Sequence, residues 1–429
     1  MAVESTPGEA SEAPDAADAV IDLPTARRIG IFALLLCNEF LYGWAWNTVD
    51  VLRPFLRNAY GLTLLQAGSL YSAQGAGALI GAIVLGQLAD RLGRRNVLVT
   101  LVSGYSTMLL LGTIVHSYPE LIAQRLLLGF FLGASFPVAV GIYVTLFHSR
   151  VRGRLAGTLN ASFSFSIVML GLAIGLTVKH DWRLLLWLGG LPPLLLAPVL
   201  HWLLPEQLNH TAAGHRERRL PISELFHPKL RRQTLLLATM AGLNFFGYEA
   251  YSGWLTIYLT SVRHLSNVVS GRLVAWQFAG NIIGGFIWGL AADRYGRRFN
   301  AIGFLLASLA IVIFLLVPTR LDLLRGIGFV YGACLCSSVI WGPWLAELYP
   351  PHLRSTAASI FNWGRVLSFF APLVTATIAG HFGLETAMLV GSASFGVAAI
   401  IWILQPETLG RRAGAEPGLA PNRAAAGES

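Results

Sequence analysis

Four ionisable side chains stand inside long apolar runs of this 429-residue chain: Glu39, Arg125, Glu249 and Arg365. A charge at hydrocarbon depth costs at least about 2.5 kcal/mol on insertion scales, so such residues generally face a cavity and handle cargo or ions. The guanidinium of Arg365 suits a carboxylate, which it can grip through a planar, two-pronged contact. The alternative is a permanent salt bridge to Glu249 or to another helix. Glu39 and Glu249 suit proton carriage, because a low-dielectric cavity favours the neutral form of a carboxyl group and lets its charge follow the side of the membrane it faces. The plainer alternative for each acid is a buried, hydrogen-bonded structural role. Arg125 reads as a proton-coupling or structural residue, or as a substrate ligand. Asp50, near the end of the first run, reads equally well as an exposed gate residue and as a buried one.

With Arg365, the residues expected to bind substrate are Tyr42, Gln74, Tyr248, Trp254, Gln277, Asn281 and Asn362. Aromatic walls with a few placed amides fit a ring-bearing or amphipathic organic anion. Trp and Tyr also collect at membrane interfaces, so part of the aromatic content has that simpler reading. The sequence holds no phosphate-cradling loop, paired-His metal motif or Gly-x-Ser-x-Gly elbow, and therefore reads as neither an enzyme nor a metal protein. Cys37, Cys334 and Cys336 lie within apolar segments and read as packing residues.

The elements that must position these groups follow from composition. The chain is 55% hydrophobic and only 12% charged, against about 25% charged in a soluble domain. Runs of about 20 apolar residues, the length that crosses a bilayer, occur near 29–51, 66–89, 96–115, 119–146, 155–178 and 183–204. Six more follow near 233–260, 269–292, 299–318, 322–346, 355–379 and 384–404. In lipid such runs must be helices. The net charge of +9 sits in short clusters between the runs, with no continuous basic face, so nucleic acid is not an expected partner. Most Lys and Arg outside the runs lie on segments sharing a side with the two termini, which places both termini in the cytoplasm. Residues 1–27 read as a disordered acidic tail rather than a secretory signal, since Glu4, Glu9, Glu12, Asp15, Asp18 and Asp22 precede any base. Residues 409–429 read as a second loose tail.

An internal repeat organises the runs. Residues 67–95 and 270–298 align without a gap, about half the positions being identical, and end in GQLADRLGRR and GLAADRYGRR. The expected units are a first six-helix bundle (28–206), a basic cytoplasmic linker (207–232) and a second six-helix bundle (233–408). Paired halves around a midplane site are a known transporter plan.

At these residues the sequence resembles the major facilitator superfamily, over about 28–408. The G-x-x-x-D-R-x-G-R-R signature appears after the second and eighth runs. The resemblance implies that Asp90, Arg91, Arg94, Asp293, Arg294 and Arg297 form a cytoplasmic gate. ELYPPHLR matches an E-x-x-P-x-x-x-R pattern and adds Glu347 and Arg354. In the first half Thr145 and His148 replace the expected Glu and Pro while Arg152 remains, which implies a weaker or differently wired gate there. Arg125, Gly129 and Gly133 have the spacing of the family's R-x-x-x-G-x-x-x-G pattern. The fifth run reads SIVMLGLAIGL, without the Gly-Pro pair of the drug-antiporter branch.

Further segments look like bacterial metabolite–proton symporters, including aromatic-acid and sialic-acid carriers: WRLLLWLGGLPPLLLAPVLHWLLPE, ELFHPKLRRQTLLL, FFGYEAYSGWLTIYL and NWGRVLSFFAPL. The aromatic-acid branch carries two acids in an Asp-Gly-Phe-Asp run; here Tyr42, Gly43, Trp44 and Ala45 stand instead, with Glu39 about one turn earlier. The resemblance implies an all-α membrane protein of twelve helices in two pseudo-symmetric bundles. It further implies a monomer in a bacterial inner membrane that moves a small organic anion with protons and needs no cofactor beyond the proton gradient. An exporter or exchanger of the same fold, and a non-transporting nutrient sensor, are the rival readings.

Overall fold

The computed structural model describes residues 21, 23–178, 180–210, 222–350, 353, 357 and 360–408. Most of the acidic tail, the middle of the basic linker, Arg354 and the tail from 409 onward lie outside the described residues, as do the side chains of Asp90 and Asn362.

Backbone groups in hydrocarbon must be paired within their own segment, and the apolar runs fold accordingly as helices. In the first half these are α1 (Thr25–Val51), α2 (Leu64–Leu92), α3 (Arg94–Leu111), α4 (Tyr118–Leu146, with an irregularity at Gly133–Ala134), α5 (Ser149–Ala173) and α6 (Leu184–Leu203). The second half holds α7 (Arg231–Tyr251), α8 (Asn267–Tyr295), α9 (Ala301–Leu316), α10 (Leu321–Leu335, continued through a 3₁₀ stretch to Leu348), α11 (Ile360–Ser368 and Ala371–Phe382) and α12 (Leu384–Ile403). Among the described residues 10 helices are long and apolar enough to cross a membrane. The two that complete the twelve, α3 and α7, open on Arg94-Arg95-Asn96 and Arg231-Arg232-Gln233, which lower their hydropathy.

The repeat recurs in the details. Thr63 caps α2 in a full capping box and its repeat mate Ser266 caps α8, each satisfying a backbone N–H at a helix start. At the other end of these helices, Gly93 (φ 93°) and Gly296 (φ 101°) turn the chain into the next helix. Both are the glycine of D-R-x-G-R-R, and a residue with a Cβ would be strained there.

Close helix contact explains the other motif glycines. A Cβ on Gly77 or Gly81 of α2 would overlap the carbonyls of Leu126 and Phe130, and one on Gly129 or Gly133 of α4 those of Gln74 and Ala78. The same arrangement joins α8 to α10 through Gly280, Gly284 and Gly332. Without a hydrophobic drive between helices in lipid, such small-residue contacts hold the bundle by packing.

The halves meet along α5–α8 and α2–α11. Gly171 faces Gly271 backbone to backbone, and Gly68 approaches the Pro372 carbonyl. Among the described residues, the hydrogen bonds between halves lie at mid-depth or toward the end opposite the termini. At the termini end Gly86, Gly153, Gly157, Gly289 and Gly342 have open space around them. Among the described residues the bundles are thus bonded to each other at mid-depth and at the far end.

Candidate functional site between the two halves

One face of α1 carries the chemistry. Glu39, Tyr42, Trp46 and Asp50 follow at intervals of three or four residues, so they stack along a single stripe. All four are buried, Glu39 being 1% exposed. Tyr42 packs on Trp46 with ring centroids 6.0 Å apart and on Phe163 of α5 at 5.8 Å. From the other half, Arg365 of α11 reaches toward this stripe. Its guanidinium carbon lies 4.9 Å from the Phe245 ring centroid and 5.9 Å from that of Trp46. The guanidinium is thus held between rings of opposite halves, a cation–π placement worth about 0.5–2 kcal/mol according to its desolvation.

No carboxylate of a described residue lies within 4 Å of Arg365. Its buried Nε has no protein partner, and neither has one carboxylate oxygen of Glu39. Glu39 and the Tyr42 hydroxyl lie within electrostatic reach of it. The permanent salt bridge to Glu249 weighed from the sequence is not formed. The broken α11 positions the arginine: Pro372 would clash with a continuous helix, and the chain turns at Phe369–Phe370. The freed Phe369 carbonyl accepts from Ser72 of α2 at 2.6 Å, and Ser368 donates to the Arg365 carbonyl at 2.6 Å.

Arg125 is fully buried and works within the first half. It donates to the Thr48 hydroxyl at 2.9 Å and to Gln74 Oε1 at 3.4 Å, while Gln74 donates to the Trp46 carbonyl at 2.9 Å. These bonds tie α4, α1 and α2 together, so Gln74 is committed to that network. Gln277 donates to Ser252 at 2.9 Å. Asn281 accepts from Ser164 across the halves at 3.0 Å and donates to the Gly332 carbonyl at 3.3 Å. Tyr248, partly exposed, sits edge-on to Phe278. Trp254 is buried farther out, beneath the guanidinium of Arg53. Of the residues named from the sequence, Glu39, Tyr42 and Arg365 come together, while Gln74, Gln277, Asn281 and Trp254 stand around them in bonded or packed positions.

Arg53 was missed by sequence reasoning. It follows the end of the first run, yet its side chain is fully buried and pairs with Asp50, which settles Asp50 as a buried residue. The available signal was the i, i+3 spacing of opposite charges beside Pro54. Phe245, one of the two rings beside Arg365, also stood outside the expected set.

The termini end holds the gate residues. In the second half Arg297 bridges Asp293 and Glu347, each at 2.8 Å, and Glu407 accepts from the Arg297 and Arg298 backbone N–H groups at 2.9 Å. Burial alone would raise the Glu347 carboxyl, but hydrogen bonds from Arg297 and Thr408 outweigh it and hold the group below the usual carboxylate range. In the first half Arg94 instead donates to the Gly141 carbonyl at 2.7 Å and Arg152 to the Phe147 carbonyl at 2.9 Å. Where the resemblance expects an acid, Thr145 bonds its own helix. Arg91 and Arg294 are exposed.

Comparison with known proteins agrees with this architecture. The family model described as Major Facilitator Superfamily matches residues 35–277 and 264–426. The chain is 27% identical over 388 residues to a probable 4-methylmuconolactone transporter of Cupriavidus pinatubonensis, covering 86% of this chain and 89% of that one. It is 28% identical over 376 residues to a gallate transporter of Pseudomonas putida (80% and 84%) and 27% identical over 413 residues to a 4-hydroxybenzoate transporter of Pseudomonas aeruginosa (86% and 91%). Among solved structures, the fold matches a bacterial homologue of the lysosomal transporter Spinster, inward-facing and occupied, with TM-score 0.73 at 17% identity, covering 89% of this chain and 97% of that one. A D-xylose–proton symporter matches with TM-score 0.72 at 16% identity (89% and 98%). Twelve helices in two repeated bundles, the doubled D-R-x-G-R-R loop and the extent of the family match lead to one conclusion: the chain belongs to the major facilitator superfamily and is a multi-pass membrane transporter.

Proposed function

We propose that the protein is a proton-coupled symporter of organic carboxylates, ring-bearing ones in particular, working by alternating access. The observation that carries this reading is Arg365, a cation held between the rings of Trp46 and Phe245 with no carboxylate within 4 Å among the described residues. A ligand with a carboxylate and an apolar ring answers both features, the first by a charge-assisted pair and the second by stacking. Relatives named as transporters of gallate, 4-hydroxybenzoate and 4-methylmuconolactone support the same substrate class.

Coupling follows from charge conservation in a low-dielectric site. Without cargo, Glu39 is a counter-charge within reach of Arg365, while Glu249, also within reach, feels Asp50 and Arg53 more strongly. A bound carboxylate takes over that task, and an ionised Glu39 beside it would leave a surplus negative charge in a medium where such charge is costly. Binding of the anion therefore favours a proton on Glu39, and release of the anion favours its loss. One proton then accompanies each carboxylate bound to Arg365, and no cofactor is required. Glu249, whose stronger charge neighbours are Asp50 and Arg53, and Arg125, bonded within the first half, serve the surrounding frame. We place the termini in the cytoplasm of a bacterial inner membrane, which makes the joined far end the outer one of a monomeric carrier.

The test is binding of a carboxylate panel (benzoate, 4-hydroxybenzoate, muconate) to purified wild type, Arg365→Ala and Arg365→Lys. Loss of one partner of a buried charge pair predicts an affinity for the recognised acid weaker by roughly thirtyfold or more in Arg365→Ala. Equal affinity in the variant and wild type rejects Arg365 as the anchor. An exporter or exchanger on this fold would instead show counterflow that ignores an imposed proton gradient.

A further inference from the structure

Away from the substrate site, the far end of the path is closed by a pair of bonds that the internal repeat relates to each other. Arg53, on the short helix Arg53–Tyr60 that follows α1, donates to the Gly253 carbonyl of the other half. Thr256, on the continuation of α7, donates to the Asp50 carbonyl at 2.7 Å. Positions 50 and 253, and positions 53 and 256, stand at the same offset that aligns 67–95 with 270–298. The second bond is thus the first one turned about the pseudo-two-fold axis, the self-complementary pattern of an isologous contact. Only the donors differ, a guanidinium in one half and a hydroxyl in the other.

We propose that Arg53 is the far-end gate residue of this transporter, and that it closes the path through this reciprocal pair. The surroundings hold the cation in place for that task. Asp50 pairs with it directly, the Trp254 ring centroid lies 4.8 Å from its guanidinium carbon, and the side chain is fully buried. Gly253 leaves room for the approach: a Cβ there would stand 2.6 Å from a Glu249 carboxylate oxygen and 3.6 Å from an Arg53 nitrogen. Glu249 therefore flanks the gate from α7, within electrostatic reach of both Asp50 and Arg53. Glu249 lies within electrostatic reach of both Arg53 and Arg365, so the gate charges Arg53 and Asp50 and the cargo charges Arg365 and Glu39 are neighbours linked through it. The bond broken on opening is between halves, whereas the Arg53–Asp50 pair stays within one half and travels with it.

This rests on the proposed transport reading only in requiring that the halves separate at the far end, and its test uses no substrate. Spin labels are placed at Ala59 and Val262, exposed positions on either side of the closure, in a Cys37→Ser background, and their separation is read by double electron–electron resonance in the full-length protein. Arg53→Gln is expected to raise the ratio of far-end-open to closed molecules by roughly tenfold, the loss of a charge-assisted bond. Thr256→Val, which keeps the side-chain shape, is expected to raise it by roughly fivefold. Arg53→Lys should fall between wild type and Arg53→Gln. An unchanged distance distribution in folded Arg53→Gln overturns the proposal. If that variant does not fold, an unchanged distribution in Thr256→Val overturns it. Carboxylate binding to Arg365 would stand in either case.

Discussion

Glu39 shows how a single residue type divides between roles by its neighbours. Two buried acids were legible in the sequence as proton carriers, and nothing in the sequence separated them, because separation depends on which cation each one faces across the halves. Glu39 has Arg365 as its neighbouring cation, while Glu249 lies beside Gly253 with Arg53 and Asp50 as its stronger charge neighbours and Arg365 as a weaker one. Substituting Glu39→Gln is expected to leave a permanently neutral partner beside Arg365. Carboxylate binding should persist and lose most of its pH dependence, and counterflow should continue. Accumulation driven by a proton gradient should fall to the level of equilibration. Measured in proteoliposomes, gradient-driven accumulation as strong as in wild type would remove Glu39 from the coupling.

At the scale of the element, the glycine spacing was readable and its consequence can be tested. Gly77, Gly81, Gly129 and Gly133 let α2 and α4 pack backbone against backbone, and a Cβ on Gly129 has no space beside the Gln74 carbonyl. Gly129→Ala should therefore lower stability by about 1–3 kcal/mol, the usual cost of overpacking. Gly86→Ala, at a glycine with open space around it, should leave the melting temperature in detergent unchanged or slightly raised. Equal melting temperatures for the two variants would contradict the packing argument. The break in α11 was less legible. Pro372 marks it, yet proline is tolerated in membrane helices when neighbours satisfy the freed groups. Only the three-dimensional structure shows Ser72 of the other half taking the freed carbonyl. The first-half gate illustrates the reverse case: the absence of an acid at Thr145 implied a weaker or differently wired gate, and Arg94 and Arg152 take carbonyl partners there.

For the whole molecule, the repeat of 67–95 in 270–298 made two similar halves legible, since matching caps, glycines and basic loops recur at one offset. The relative placement of those halves was not legible, because contacts between bundles join residues 117 to 297 positions apart, with no local signal. Arg53 escaped notice for this reason: its partner at Gly253 is a backbone carbonyl, which any sequence would supply. A pseudo-two-fold axis turned one such contact into two, and the pair joins the halves at the far end.

The central claim is that an anion on Arg365 and a proton on Glu39 travel together. Its most direct measurement is the pH of a weakly buffered medium around proteoliposomes when a recognised carboxylate is added without any preset gradient, with protein-free liposomes subtracted. Co-entry of proton and anion predicts alkalinisation of the medium in step with labelled uptake, close to one proton per carboxylate, absent in Arg365→Ala. Labelled uptake with no pH change, or an identical response from Arg365→Ala, would contradict the account.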